Sequence, residues 1–148
     1  MQQTPLFEEE ERCLNVVRFN EQRDLLSLFV PSHDKSQKAI TDQSGWANQT
    51  CRLFCELYGG ATAFTAVVGM YSDEGTILRD KPVVVQSLAL RDDVEDLAKL
   101  RKLMAFIHEM GRELKQAAMA LTMNQQLIFI DKYKSRKQLE KIREAVES

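Results

Sequence analysis

Two histidines are too few for a histidine-rich metal centre within one chain. Three cysteines, an odd number, argue against a disulfide framework. Cys51 and Cys55 stand one helical turn apart on an apolar stretch with no Cys or His companion at zinc-site spacing, so they read as buried structural thiols. Proline occurs only three times, and neither a low-complexity linker nor an internal repeat divides the chain. A P-loop, G-x-G-x-x-G, G-x-S-x-G and H-E-x-x-H are all missing. These absences leave no basis for a cofactor or a metal. No apolar run approaches the roughly 18 residues that would cross a bilayer. The opening "MQQTPLFEEEE" lacks the basic-then-apolar order of a secretory signal. A cytoplasmic protein without a membrane partner is the expectation.

What is present is the composition of an ordinary globular protein: 148 residues, 44% hydrophobic and 28% charged, enough for one domain with a single core. The formal charge of −2 conceals an uneven distribution. Glu8 to Glu11 against Arg12 give the first twelve residues a net −3. Six Lys and Arg between Lys132 and Arg143, against Glu140, give that stretch a net +5. Ends of opposite sign can pair within a molecule, pair between copies, or recruit a charged partner.

Hydrophobic periodicity outlines the elements. "LLSLFVP" (25 to 31) is a buried strand closed by proline, and "LNVVRFN" before it is a candidate partner strand. After the polar stretch "SHDKSQKAITDQSG", a helix runs from Gln43 to Tyr58, with Trp46, Thr50, Leu53 and Leu57 on one stripe. Gly59-Gly60 stops it. "ATAFTAVVGMY" and "PVVVQSLAL" (82 to 90) read as two strands of an antiparallel hairpin with "TILRDK" as a long tip. Asp92 and Glu95 have capping-box spacing and open a second helix. Its apolar stripe runs through Val94, Leu97, Leu100, Met104, Ile107, Gly111, Leu114 and Ala118. A glycine on that stripe costs about 0.5–1 kcal/mol of helix propensity, so Gly111 is expected to admit a close neighbour, the sheet or the first helix. "MALTM" and "LIFID" form a tight hairpin around "NQQ", and "SRKQLEKIREAVES" is an amphipathic helix.

The order β-α-β-β-α-β predicts an α+β, ferredoxin-like split βαβ two-layer sandwich with an extra N-terminal strand and a C-terminal amphipathic helix. Residues 1–24 would be an extension, 25–131 the core and 132–148 the basic helix of a single domain. Two helices then cover one sheet face, and the other face needs cover from the end segments or from a second subunit.

"LFVPSHD", Trp46, "ELYGGATAFTAVVGMYSDEG", "VVVQSLA" and "GRELKQAAMALTM" together resemble a group of uncharacterised bacterial domains of ferredoxin-like type, over about residues 25–131. The resemblance is one of pattern and order. It implies the fold and brings no activity with it.

Three clusters carry candidate chemistry. The loop after the first strand holds His33, Asp34 and Lys35, where a histidine is a plausible acid or base and an aspartate could orient it. On the second helix His108, Arg112 and Gln116 recur every four residues, a row suited to gripping an anion. The terminal helix presents Lys134, Lys137 and Lys141, a surface for a partner or for nucleic-acid phosphates. The leading expectation is a non-enzymatic interaction or regulatory module, a homo-oligomer or a unit docked on a protein partner. The alternatives are a small nucleic-acid-handling protein and a small enzyme or binder of an anionic metabolite, with His33, Asp34, His108 and Arg112 around one pocket.

Overall fold

The computed structural model describes residues 21–147; the expected strand "LNVVRFN" and the acidic run before it lie outside the described residues. Seven strands and four helices follow in the order β1 (Arg23–Val30), α1 (Gln43–Tyr58), β2 (Thr62–Thr65), β3 (Gly69–Asp73), β4 (Thr76–Asp80), β5 (Val83–Leu90), α2 (Arg91–Glu95), α3 (Leu97–Glu113), β6 (Met119–Met123), β7 (Gln126–Ile130) and α4 (Arg136–Glu147). This is a mixed α+β fold. Its main sheet is antiparallel, in the order β2-β5-β1-β6-β7, and β3 and β4 form a separate two-stranded arm.

Alternation in β1 decides which way each side chain faces. Leu26, Leu28 and Val30 point inward, and each is fully buried. Opposite them, Val85 and Ala89 of β5 and Met119 and Leu121 of β6 extend the same surface. Phe54, Leu57 and Tyr58 of α1 and Leu103, Ile107 and Met110 of α3 join this one core cluster, so both long helices pack on the same sheet face. Each such side chain contributes about 1.5–3 kcal/mol when fully buried. The α1 helix ends at Gly59, whose φ of 90° only glycine adopts without strain and whose N–H donates to the Cys55 carbonyl.

Several sequence expectations depart from the structure, and Cys55, read as buried, is exposed. The run from Ala61 to Tyr71 is two strands: the Ala66 N–H makes the last rung of the β2–β5 ladder, to the Pro82 carbonyl, and Pro82 has no N–H to return, so the pairing stops there. The supposed hairpin tip is therefore strand β4, paired with β3 from Gly69↔Asp80 to Asp73↔Thr76. The second helix is interrupted: Asp96 is extended (ψ 113°) and its carboxylate accepts from the Lys99 N–H at 3.1 Å, so Asp96 caps α3 and the Asp92–Glu95 box does not. Of the expected stripe, Val94, Ile107, Gly111 and Leu114 are buried and Met104 packs against the core; Leu103 and Met110 join them, while Leu97 stays exposed.

Gly111 has a definite neighbour. A Cβ there would lie 2.1 Å from Cε1 of Tyr133, so the missing side chain is the notch that seats this ring. The close partner is the segment after β7, not the sheet or α1.

Candidate functional site

The loop after β1 is held by its own polar groups. Asp34 accepts from the Ser36 N–H at 2.8 Å and the Lys38 N–H at 3.0 Å, closing a tight turn. The Lys38 and Ser36 amides hold its carboxyl below the ordinary aspartate range. Its Oδ1 thus accepts from two backbone amides, and Lys35 contributes its own N–H to the Lys115 carbonyl. His33 lies beside two residues that the sequence did not single out, Ser32 and Asp80. The Ser32 N–H donates to Asp80 Oδ1 at 2.8 Å, its hydroxyl donates to the same oxygen, and the Lys81 N–H donates to Ser32 Oγ at 2.9 Å. His33 Nδ1 is 2.7 Å from Ser32 Oγ. With the serine proton committed to Asp80, this ring nitrogen is the donor to Ser32 Oγ.

The composition is that of a Ser-His-Asp relay, but the order of contacts is not. In a relay the histidine takes the serine proton and the aspartate orients the histidine. Here the aspartate accepts from the serine itself. The constellation stitches the end of β1 to the start of β5, assisted by the Gln43 amide, which donates to the carbonyls of Val30 (3.1 Å) and Lys81 (2.9 Å).

The helix row is engaged in a similar way. His108 Nδ1 accepts from the Lys134 N–H at 3.2 Å, and Arg112 Nη1 donates to the Lys134 carbonyl at 2.7 Å. Between them the two side chains hold both backbone polar groups of Lys134, and the His108 ring meets Tyr133 edge-on at 6.1 Å. Burial, with the Lys134 and Arg112 charges added, pushes the His108 pKa down, which keeps Nδ1 free to accept. Gln116, the third member, donates instead to the His33 carbonyl at 2.8 Å. The loop and the row therefore touch through Gln116 alone, while His108 and Arg112 are spent on Lys134. Among the described residues, no three His, Cys, Asp or Glu side chains gather to hold a metal ion. Lys134, Lys137 and Lys141 are exposed.

The sheet face away from the helices carries several exposed apolar side chains around a buried Val84. Registers place Phe64, Val84 and Phe29 side by side on β2, β5 and β1, and Phe129 beside Ala120 on β7 and β6. A second row runs Thr62, Gln86, Ser27, Thr122 and Leu127, and a third pairs Leu25 with Leu88. Leu88 and Phe129 are each 62% exposed, and Leu25, Phe64 and Leu127 are exposed too. The β3–β4 arm adds exposed Val67, Val68, Met70, Tyr71 and Ile77. No helix of the described residues is long and apolar enough to cross a membrane.

No family model matches this chain, and no curated protein matches it. Solved structures do. A phage SAM lyase in complex with S-methyl-5'-thioadenosine superposes with a TM-score of 0.57 at 14% identity, covering 78% of this chain and 95% of that one. The apo state of a phage SAM lyase gives 0.54 at 15% identity over 82% of this chain and 99% of the other. The divalent ion tolerance protein CutA1 from Ehrlichia chaffeensis gives 0.45 at 16%, covering 85% and 96%. At these identities the likeness to the SAM lyases is one of fold.

Proposed function

We propose that this chain is a self-associating interaction module whose outer sheet face packs against a second copy. The finer form of the fold belongs to the same proposal: the strand order β2-β5-β1-β6 with α1 and α3 on one face is a ferredoxin-like split βαβ plan, with β7 added at one edge. The observation that carries the reading is the outer face, where Leu25, Phe64, Leu88, Leu127 and Phe129 are exposed together on a regular sheet. A second copy is favoured as the occupant because the chain bears two such surfaces. A two-stranded arm is marginal in water by itself, and this one carries exposed apolar side chains, Met70, Tyr71 and Ile77. Arm and face from different copies answer each other's exposure.

The basic-helix and anionic-metabolite readings have less behind them. Lys134, Lys137 and Lys141 are exposed without stacking aromatics around them, and His108 and Arg112 already hold the Lys134 peptide.

Sedimentation equilibrium on the full chain tests the proposal. Wild type is expected to be oligomeric and Phe64→Glu/Phe129→Glu monomeric, with helical content unchanged by circular dichroism. A wild-type monomer at all concentrations overturns self-association. If that monomer loses thermal stability on deletion of residues 1–20, the chain's own N-terminal segment covers the face instead.

A further inference from the structure

Cations on the two sides of the molecule are treated differently. Arg91 pairs with Asp24 at 2.9 Å, Lys102 with Glu56 at 3.5 Å, and Lys99 with Asp93. Around α4 the pairing stops. Lys132, Lys134, Lys137 and Lys141 are exposed, and none of their side chains is in an ion pair among the described residues. Residues 132–144 hold six cations against two acids, Glu140 and Glu144. Lys137 and Lys141, four apart, lie on the side of the helix turned from half-buried Leu139, a spacing at which like charges repel. The segment leading into this surface is fixed. Tyr133 sits in the Gly111 notch, and His108 and Arg112 hold the backbone of Lys134.

We propose that this basic face is the docking surface for the acidic run Glu8–Glu11 of the same chain. Charge complementarity selects the occupant: no other four consecutive residues of the sequence are all acidic. Single exposed ion pairs contribute little, whereas several charges engaged together can hold a segment. Length permits the contact within one molecule. Glu11 is ten residues from Glu21, where the described chain begins, and ten residues reach about 35 Å, comparable with the breadth of a domain of this size. A tether this short presents the run at an effective concentration in the millimolar range, well above that of a second copy in dilute solution. The lysines of the loop after β1 are poorer hosts, since Asp34 already lies within electrostatic reach of Lys38 and Lys115. With the run in place, an outside polyanion has to displace it before reaching α4.

This contact is independent of self-association through the outer sheet face, and the oligomeric state read on the same samples separates the two. The full chain, as an equal mixture of unlabelled and heavy-isotope-labelled protein, is treated with a carbodiimide that joins touching carboxylates and amines, then digested and mapped by mass spectrometry. Cross-links from Glu8–Glu11 to Lys134, Lys137 or Lys141 are expected within chains of one label. In a separate footprint Lys137 and Lys141 should acetylate about threefold more slowly in wild type than in Glu8→Gln/Glu9→Gln/Glu10→Gln/Glu11→Gln. That difference should vanish in about 1 M salt, where charges are screened within about 3 Å. Lys38 and Lys115 should react equally in both proteins. Cross-links that join labelled to unlabelled chains make a second copy the occupant and overturn docking within the chain. So does the absence of any cross-link from the run to α4. Equal acetylation of Lys137 and Lys141 in the two proteins leaves the face open to an outside polyanion and overturns the assignment. Equal slowing of Lys38 and Lys115 does the same, because it reports net charge alone.

Discussion

The two faces of the central sheet come from the same strands and nearly the same residue types, and they have opposite fates. On the inner face Leu26, Leu28, Val85 and Leu121 are fully buried beneath α1 and α3. On the outer face Leu25 and Leu88, one step along the same strands, are exposed, as are Phe64, Leu127 and Phe129. Only the centre of the outer face is polar, where the Gln86 amide donates to Ser27 Oγ at 3.1 Å and Thr122 lies alongside. A monomer that left this face in water would be expected to carry polar side chains at the alternate positions. Apolar residues on both faces are the pattern of a sheet covered twice, once by its own helices and once by something else.

The comparison breaks most sharply through side-chain truncation on each side. Phe54→Ala empties the centre of the helix-covered core and should cost about 3–5 kcal/mol, enough to unfold much of the population in mild urea. Phe129→Ala should change the stability of the isolated monomer by about 0.5 kcal/mol or less, while weakening association. Urea melts at several protein concentrations check both. Equal, concentration-independent losses would mean that residues 1–20 already bury the outer face.

A second, smaller effect concerns how far the covered side extends. Tyr133 seats its ring in the Gly111 notch, which ties the segment before α4 to the outside of α3. Gly111→Ala gains helix propensity, about 1 kcal/mol, but drives a methyl group into a ring. The net result should be a destabilisation of about 1–3 kcal/mol. In a Tyr133→Ala background the same substitution should be neutral or stabilising, so a double-mutant cycle should show strong coupling. Additive changes would refute the notch. Below this in size, Asp96→Ala should lower stability by about 1 kcal/mol through loss of the α3 cap, whereas Asp92→Ala should have little effect.

These cases show where the sequence was legible. The α1 helix coincides with its expected span, Gln43 to Tyr58, because a one-sided stripe ends at a glycine that must adopt positive φ. The β6–β7 hairpin was likewise readable, and Asn124 and Gln125 turn it with φ of 52° and 63°. The arm was not readable. Ala61 to Tyr71 contains no proline, and the ladder stops at Ala66 because its partner across the sheet, Pro82, has no N–H to return. The stripe of α3 was legible at Ile107, Gly111 and Leu114, whereas the extended Asp96, which starts the helix anew, was not. At the candidate sites the spacing did not show the contacts: Asp34, His108 and Arg112 make hydrogen bonds to backbone groups, the His33 ring meets the Ser32 hydroxyl, and Tyr58 and Ser87 hold hydroxyls without a partner among the described residues. Whether a polar atom has a partner is a property of tertiary contact, invisible in spacing.

The smallest effect tests the covered side by proton. His108 accepts the Lys134 N–H through Nδ1, which only the neutral ring can do. Burial, reinforced by Lys134 and Arg112, holds its folded pKa below the ordinary 6.5. The unfolded chain therefore binds a proton at this site at a higher pH than the folded chain does. Stability from this group is fully present above about pH 6.5 and is lost as pH falls through the lower folded value. Asparagine keeps an acceptor near the Nδ1 position without titrating. His108→Asn should consequently lose less stability than wild type between pH 7 and pH 5, measured by parallel urea melts. Identical slopes would show that His108 does not need its neutral form to hold Lys134, and that the segment carrying Tyr133 is secured by the Gly111 notch alone.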